Sequence, residues 1–220
     1  MLHQLNIFIH VLAGIIAMGF GVAAYATLNK GNRHRRFGRL FLVGMGVVIL
    51  TAVNGVLNFV DRPFLTVVTL QSAYLAWTGW RAVIRKSQPL SRGDLGLILI
   101  ATAFVIRFFW LLQGANIIWN QGVVWYLLAY LVAILAFDLI RYLRPILINN
   151  PRFWLYDHLF RMTGAFTALV SAGVGTVMGN WGSWSQILPA TLGTLWLIFA
   201  LGYFPRRIKS LRREAAPPSR

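Results

Sequence analysis

The sequence predicts an all-α integral membrane protein, a bundle of seven transmembrane helices. Of its 220 residues, 58% are hydrophobic and only 12% are charged, and the mean hydropathy is +0.65. A soluble domain carries about a quarter charged residues. Seven apolar stretches follow one another, and roughly 20 apolar residues suffice to cross a bilayer core as a helix. The absence of cysteine excludes disulfide scaffolds, thiol enzymes, iron–sulfur proteins and cysteine-bound zinc.

Turn signals divide these stretches in order along the chain. The first is too long for a cleaved signal peptide and has no basic region before it, so we expect a true span. Later boundaries fall at Asp61-Arg62-Pro63, at Gln88-Pro89 with Gly93, and between Pro145 and Pro151. We therefore expect one transmembrane domain, 1–204, with a basic tail at 205–220 and spans at 5–28, 40–60, 64–84, 95–114, 123–140, 158–178 and 187–204.

The basic residues predict the orientation. Nineteen of the 21 Lys and Arg lie in or beside alternate connections and in the tail, and the two others are Arg62 and Arg107. Cytoplasmic loops retain Lys and Arg, so we expect the N-terminus outside and the C-terminus in the cytoplasm. The formal charge of +16 then reflects topology and attraction to anionic lipid headgroups. Membrane lipids are therefore the expected partners, and nucleic acid is not.

Small and aromatic residues predict how the helices pack. Close helix contacts in lipid depend on small residues. Two stripes of such residues, which make us expect the first and sixth spans at the centre, are Ala13, Ala17 and Gly21, and Gly164, Ala168 and Ala172. Bulky aromatics of the fourth and fifth spans, such as Phe104 and Tyr126, favour a surface facing lipid or a partner, with a core aromatic box as the alternative.

Four polar side chains fall at similar depths in the outer half of the first four spans. Counted at 1.5 Å per residue, they lie roughly 8 to 12 Å below the outer face. They are His10, Asn54, Gln71 and Arg107. Arg107 cannot become neutral, and no acidic residue lies at its depth. Either these residues form a pocket for a carboxylate, phosphate or quinone-type oxygen, or they form hydrogen bonds that fix helix packing.

A second polar cluster is expected at the cytoplasmic face. Its members are His34, Arg35, Arg39, Asp138, Arg141, Asp157, His158 and Arg161. Imidazole and carboxylate suit acid–base chemistry or a hard metal. The structural alternative makes Asp157 a helix cap and Asp138 with Arg141 a local ion pair.

We expect no cofactor. A membrane haem with two histidine ligands is argued against, because His10 and His158 lie near opposite faces of the bilayer. A metal at His34, Asp138 and His158 is a minor alternative. No phosphate-binding loop or Ser-His-Asp arrangement is evident, so no catalytic residue is predicted and an enzyme is not favoured.

Short motifs stand in a distinctive order along the chain. They are His10-x-x-x-Gly14, Lys30-Gly31, His34-Arg35-x-x-Gly38-Arg39, Met45, Asp138-x-x-Arg141, His158-x-x-Arg161-Met162 and Leu188-Pro189-x-x-x-Gly193. Together they resemble a bacterial family of predicted multi-pass membrane proteins of unknown function. The resemblance implies a helical bundle with a cytoplasmic His/Arg/Asp cluster in a bacterial cytoplasmic membrane, and it implies no reaction.

Two classes of function follow from these features. In the first, the outer polar layer binds or transports a small anionic, lipid or quinone-like ligand. In the second, the chain is an accessory subunit of a larger membrane complex and docks through its aromatic helix faces and basic inner surface. An enzyme built on His34, Asp138 and His158 ranks third.

Overall fold

A computed structural model describes residues 1–58, 63–113, 121–145 and 150–214, and these are helical with no strand among them. The seven helices are α1 (Leu2–Ala26), α2 (Gly31–Asn58), α3 (Pro63–Arg85), α4 (Arg92–Gln113), α5 (Gln121–Leu143), α6 (Phe153–Val177) and α7 (Trp184–Glu214). A short 3-10 helix at Gly179–Trp181 joins the last two. The predicted all-α class and the number of helices are confirmed.

The helix bounds follow the predicted spans closely, with three differences. Helix α2 begins at Gly31, nine residues before the predicted start at 40. Helix α6 begins at Phe153, five residues before the predicted span, because it can start directly after the turn at Pro151. Helix α7 runs to Glu214 and so includes the first part of the expected tail. The predicted ends of the second and fourth spans, at residues 60 and 114, lie outside the described residues. The same is true of residues 215–220 of the tail.

Five of these helices are long and apolar enough to cross a membrane, namely α1, α2, α4, α5 and α7. Only 11% to 33% of their apolar windows is buried inside the bundle. The remaining apolar surface faces outward, which is the arrangement that lipid requires. Helices α3 and α6 are less apolar than these five.

Helices α3 and α6 form the centre of the bundle. They pack on each other, and α3 also contacts α2, α4 and α5, while α6 contacts α1 and α7. The expectation that α6 is central is confirmed. The same expectation for α1 is wrong, because α1 packs mainly on α2 and otherwise contacts only α6 among the described elements.

Two apolar cores lie on either side of α6. One joins α1, α2 and α6 around Ala17, Met45 and Leu169. The other joins α3, α4 and α5 around side chains such as Leu75 and includes Ala165 of α6. Helix α6 therefore contributes to both cores and connects the two halves of the bundle.

The α1–α2, α3–α4 and α5–α6 connections lie at one end of the bundle, which we call the basic end. Ser87 Oγ of the α3–α4 connection donates to Pro151 O of the α5–α6 connection at 3.0 Å. The rings of His34 near the start of α2 and His158 of α6 lie 6.4 Å apart. The connections that are rich in Lys and Arg are thus brought together.

Candidate functional site

A network of arginines and aspartates lies buried near the basic end. Its first part joins α3, α5 and α6 at Asp138. Arg161 donates through Nη1 and Nη2 to the two carboxylate oxygens of Asp138, at 2.9 and 2.5 Å. Tyr74 Oη donates to Asp138 Oδ2 at 2.6 Å, and Arg161 Nη1 also donates to Thr78 Oγ1 at 2.9 Å. The Arg161 side chain is only 2% exposed, so these bonds replace its hydration.

The second part of the network surrounds Asp157. Arg141 Nη1 of α5 donates to Asp157 Oδ2 at 2.7 Å, and Arg161 Nε donates to Oδ1 at 2.5 Å. Arg85 Nη2 of α3 lies 3.7 Å from Asp157 Oδ2. One carboxylate therefore connects α3, α5 and α6.

The third part is the start of α4. Ser91 and Asp94 form a reciprocal capping box, in which Ser91 N donates to Asp94 Oδ2 at 2.8 Å and Asp94 N donates to Ser91 Oγ at 3.3 Å. Arg81 donates through Nε and Nη2 to both oxygens of Asp94, at 3.1 Å each. Arg85 Nη1 lies 3.5 Å from Asp94 Oδ2, so Arg85 bridges Asp94 and Asp157.

The network is continuous and carries an excess of positive charge. Arg85 and Arg161 each bridge two aspartates, so the chain of ion pairs runs through α3, α4, α5 and α6. Its charged members are four arginines, Arg81, Arg85, Arg141 and Arg161, and three aspartates, Asp94, Asp138 and Asp157. One arginine charge is left without a matching carboxylate in this set.

The local interpretation of two aspartates is wrong. Asp157 was expected to cap a helix, but α6 begins at Phe153 and Asp157 lies within its second turn. Asp138 was expected to pair with Arg141, but it pairs with Arg161, and Arg141 pairs with Asp157. Arg161 donates to both carboxylate oxygens of Asp138, and this forked geometry favours Arg161 over Arg141 as the partner.

The histidines of this end are held by backbone carbonyls. His158 Nδ1 donates to Gly79 O at 2.9 Å, and His34 Nδ1 donates to Ala24 O at 3.0 Å. A carbonyl can only accept, so each Nδ1 carries a proton and each Nε2 is left as the acceptor in the neutral ring. His34, and not His10, lies beside His158. The imidazole rings of His34 and His158 are nearly perpendicular, at 87°.

The remaining members of the predicted inner cluster lie apart from the network. Arg35 and Arg39 are exposed, and Arg35 Nη2 donates to Asn32 Oδ1. Asp138 is engaged by Arg161 and Tyr74 rather than by a histidine. Over the residues that the structure describes, no group of three or more His, Asp or Glu side chains is arranged to hold a metal.

Two members of the predicted outer layer lie between α1 and α2. His10 Nδ1 lies 2.9 Å from Thr51 Oγ1 and 3.2 Å from Val48 O. Asn54 Nδ2 donates to Asn6 Oδ1 at 3.0 Å, and Asn6 Nδ2 donates to Thr51 O at 3.0 Å. These hydrogen bonds join α1 to α2, in agreement with the alternative that the polar residues fix helix packing.

The two other members do not join them. Gln71 of α3 is 5% exposed, and its Oε1 has no hydrogen-bond partner within the described parts of the chain. Arg107 is exposed on the outer side of α4, a helix that contacts α3 and α5 but neither α1 nor α2. The four residues therefore do not line one common pocket.

Several network residues were missed in the sequence. They are Tyr74, Thr78, Arg81, Arg85, Ser91 and Asp94. One signal was available, because Ser91-x-x-Asp94 before an apolar stretch is a capping-box pattern. The second signal was the small number of acidic residues. With five acidic residues against 21 basic ones, several arginines are available to pair with each carboxylate within an apolar helix.

Over the residues that the structure describes, fold and site together define an all-helical bundle in which five helices are long and apolar enough to cross a membrane, with an internal ion network. No protein-family model, no curated protein and no solved structure matches this chain.

Proposed function

We propose that this protein is a multi-pass membrane protein and a subunit of a membrane complex, which binds an acidic transmembrane helix of another protein through the outer face of α4. In this proposal all seven helices cross a cytoplasmic membrane, with the N-terminus outside and the basic end in the cytoplasm. Retention of Lys and Arg on the cytoplasmic side supports the orientation. Helices α3 and α6, with 23 and 25 residues, are long enough to cross as well, and the other helices shield their charges from lipid.

The single observation that carries the proposal is the exposure of Arg107. Arg107 lies inside the apolar span of α4 and faces away from the bundle. The residues three positions before and after it on the same face, Phe104 and Trp110, are 58% and 65% exposed. No ion pair or hydrogen bond of Arg107 is formed with another described residue. A charged arginine at this depth costs about 2.5–3.5 kcal/mol on insertion scales, unless an anion neutralises it.

The direction of the side chain favours a protein carboxylate over a lipid phosphate. Arg107 precedes the end of α4 at Gln113 by six residues, or about 9 Å of helix. Side chains on a helix lean toward its N-terminus. Because the N-terminus of α4 is at the cytoplasmic side in this orientation, Arg107 leans away from the nearer headgroups. An acidic residue within a neighbouring transmembrane helix can lie at the same depth in the membrane as the Arg107 side chain.

The acidic residues of this chain favour a different protein as the partner. Asp94, Asp138 and Asp157 are occupied in the ion network. The two others, Asp61 and Glu214, stand outside the predicted spans. A second copy therefore offers no carboxylate at the depth of Arg107.

The geometry supports this function better than the ligand pocket expected in the outer layer. A pocket requires Arg107 to converge with His10 and Asn54, but α4 has no contact with α1 or α2. The exposed aromatic residues of α4 and α5 instead surround Arg107 with surface that suits a neighbouring helix, since aromatic side chains and Arg are enriched at interfaces.

A designed helix tests the proposal. The full chain, labelled through Asn180→Cys, is reconstituted in phosphatidylcholine nanodiscs with a leucine-rich transmembrane peptide that carries one Asp at the depth of Arg107. Energy transfer between the labels measures binding, and the same peptide with Asn is the reference. We expect the Asp peptide to bind about tenfold more tightly, because coupling energies of close charge pairs start near 1.5 kcal/mol.

Two variants control for charge and for lipid. Arg107→Leu removes the preference for Asp, whereas Arg92→Leu, which removes an exposed charge at the other end of α4, retains it. Equal binding of the Asp and Asn peptides to the natural chain contradicts the proposal, as does a preference that survives Arg107→Leu. If the phosphates of added phosphatidylglycerol stabilise the natural chain over Arg107→Leu while the peptides bind equally, Arg107 binds lipid and the proposal fails.

A further inference from the structure

We propose that the basic end carries a binding site for a phosphate group, in a cavity between the α3–α4 and α5–α6 connections. The cavity has a volume of about 370 Å³, and its lining includes Lys86, Ser87, Arg141, Asn150 and Trp154. It is separate from the outer face of α4 and does not depend on the function proposed above.

Arg141 gives the cavity its charge. Its side chain is 8% exposed, and its guanidinium carbon lies 4.8 Å from the centre of the Phe153 ring. Arg141 Nη1 donates to Asp157 Oδ2, and Arg141 is also one of the residues that line the cavity. Asp157 is the one ion-pair partner of Arg141 among the described residues, and it is shared with Arg85 and Arg161, so the charge of Arg141 is only partly neutralised and can attract an anion. Among the described residues that line the cavity, none carries a carboxylate.

Lys86 supplies a second cation from the opposite wall. Among the described residues it is the one non-glycine residue with a left-handed backbone, at φ 53°. An L-residue there costs roughly 1–2 kcal/mol, and glycine or asparagine is usual after a helix. Such a conformation is retained where the surroundings require it, and it often accompanies a binding site. Here it places lysine, directly after the end of α3, at the edge of the cavity.

The walls of the cavity are joined to each other. Ser87 Oγ donates to Pro151 O at 3.0 Å, which links the two connections on either side. Gln88 N donates to Arg85 O at 3.1 Å and closes the turn that carries Lys86. The two cationic residues therefore line a cavity whose walls are held in place before a ligand arrives, which lowers the cost of ordering on binding.

The chemistry of the lining selects the ligand class. Arginine forms forked hydrogen bonds to phosphate oxygens, and lysine adds a point charge. Ser87 and Asn150 provide further neutral polar groups. A phosphate can reach this end of the protein from two sources, as a free anion or as the headgroup of a lipid, and Trp154 suits the headgroup region of a membrane.

Binding of two probes to the full chain in neutral detergent tests the site. The first probe is inorganic phosphate and the second is short-chain phosphatidylglycerol, each titrated by calorimetry. We expect at least one to bind saturably, and Lys86→Gln to weaken that binding about tenfold through loss of a charge-assisted hydrogen bond. Because Lys86 is exposed, this variant retains the fold.

Lys30→Gln is the matched control. Lys30 is also an exposed lysine at the basic end, but it does not line the cavity, so its variant keeps the affinity of the natural chain. Saturable binding of phosphate alone identifies a free anion as the source, and binding of phosphatidylglycerol alone identifies a lipid headgroup. The proposal is overturned if neither probe binds saturably, if Lys86→Gln binds as tightly as the natural chain, or if Lys30→Gln weakens binding equally.

Discussion

Five of the six ion pairs in the arginine and aspartate network join different helices, and the sixth, between Asp157 and Arg161, lies within α6. Asp138 accepts two hydrogen bonds from Arg161 and one from Tyr74. Each of these donors comes from a helix other than that of Asp138. Removing the charge of Asp138 leaves the buried charge of Arg161 only partly compensated, and an under-compensated buried charge costs far more than the ion pair contributes relative to apolar residues.

Asp138→Asn is therefore expected to destabilise the bundle strongly. The amide carries no charge, so Arg161 keeps Asp157 as its one carboxylate partner, which Arg85 and Arg141 share, and breaking a buried ion pair costs about 3–5 kcal/mol. Thermal unfolding in mild detergent measures the loss. The double variant Asp138→Leu with Arg161→Met removes both charges and is expected to recover much of the stability, with Asp157 still paired to Arg141. A double variant less stable than Asp138→Asn argues against an ion pair as the cause.

Close approach of α1 and α2 depends on a small residue on each helix. A Cβ added at Gly44 of α2 would lie 2.9 Å from Ala17 Cβ and 3.2 Å from Ala17 Cα of α1. Backbone atoms of α1 cannot rotate away as a side chain can. The two helices are thus packed at a distance that only a small residue at position 44 permits.

Gly44→Leu is expected to separate α1 from α2 and to lower the free energy of unfolding by about 1–3 kcal/mol, the usual cost of overpacking. Gly46→Leu on the same helix is the matched control, since a Cβ at Gly46 meets nothing within 4 Å. Unfolding of both variants in detergent gives the comparison. Equal losses would assign the effect to helix α2 itself rather than to its contact with α1.

Helices α3 and α6 show how position in a bundle changes what a helix can contain. Both are surrounded by other helices, and both contribute arginines to the ion network. Among the described helices, they are also the two that are less apolar than the five long apolar ones, α1, α2, α4, α5 and α7. The protein around them supplies the partners that lipid lacks, so lower hydropathy is compatible with a central helix.

At the scale of the whole molecule, the helices alternate in direction and gather the basic connections at one end. The proposed orientation makes a direct prediction, which is helped by the absence of cysteine from the sequence. Ser87 lies at the basic end, and Asn180 lies in the connection between α6 and α7; both are exposed.

Single cysteines at these two positions are expected to differ in accessibility. A membrane-impermeant maleimide applied to intact cells labels Asn180→Cys and leaves Ser87→Cys unlabelled, because a charged reagent cannot cross the bilayer core. Permeabilised cells give labelling at both positions and serve as the control. Labelling of Ser87→Cys alone in intact cells would reverse the orientation, and equal labelling before permeabilisation would argue against it.

The sequence alone determined the all-helical class, the seven helices and most of their bounds, because the length of an apolar stretch and the turns that end it are local properties. It also placed Arg161 and Asp138 in one polar cluster, since alternate connections meet at the same end of such a bundle. Only the tertiary structure decided that Arg161 pairs with Asp138, that Arg85 bridges Asp94 to Asp157, and that Arg107 faces outward. These outcomes depend on the rotation of each helix about its own axis and on which helix lies beside it, and both are set by contacts between residues that are far apart in the chain.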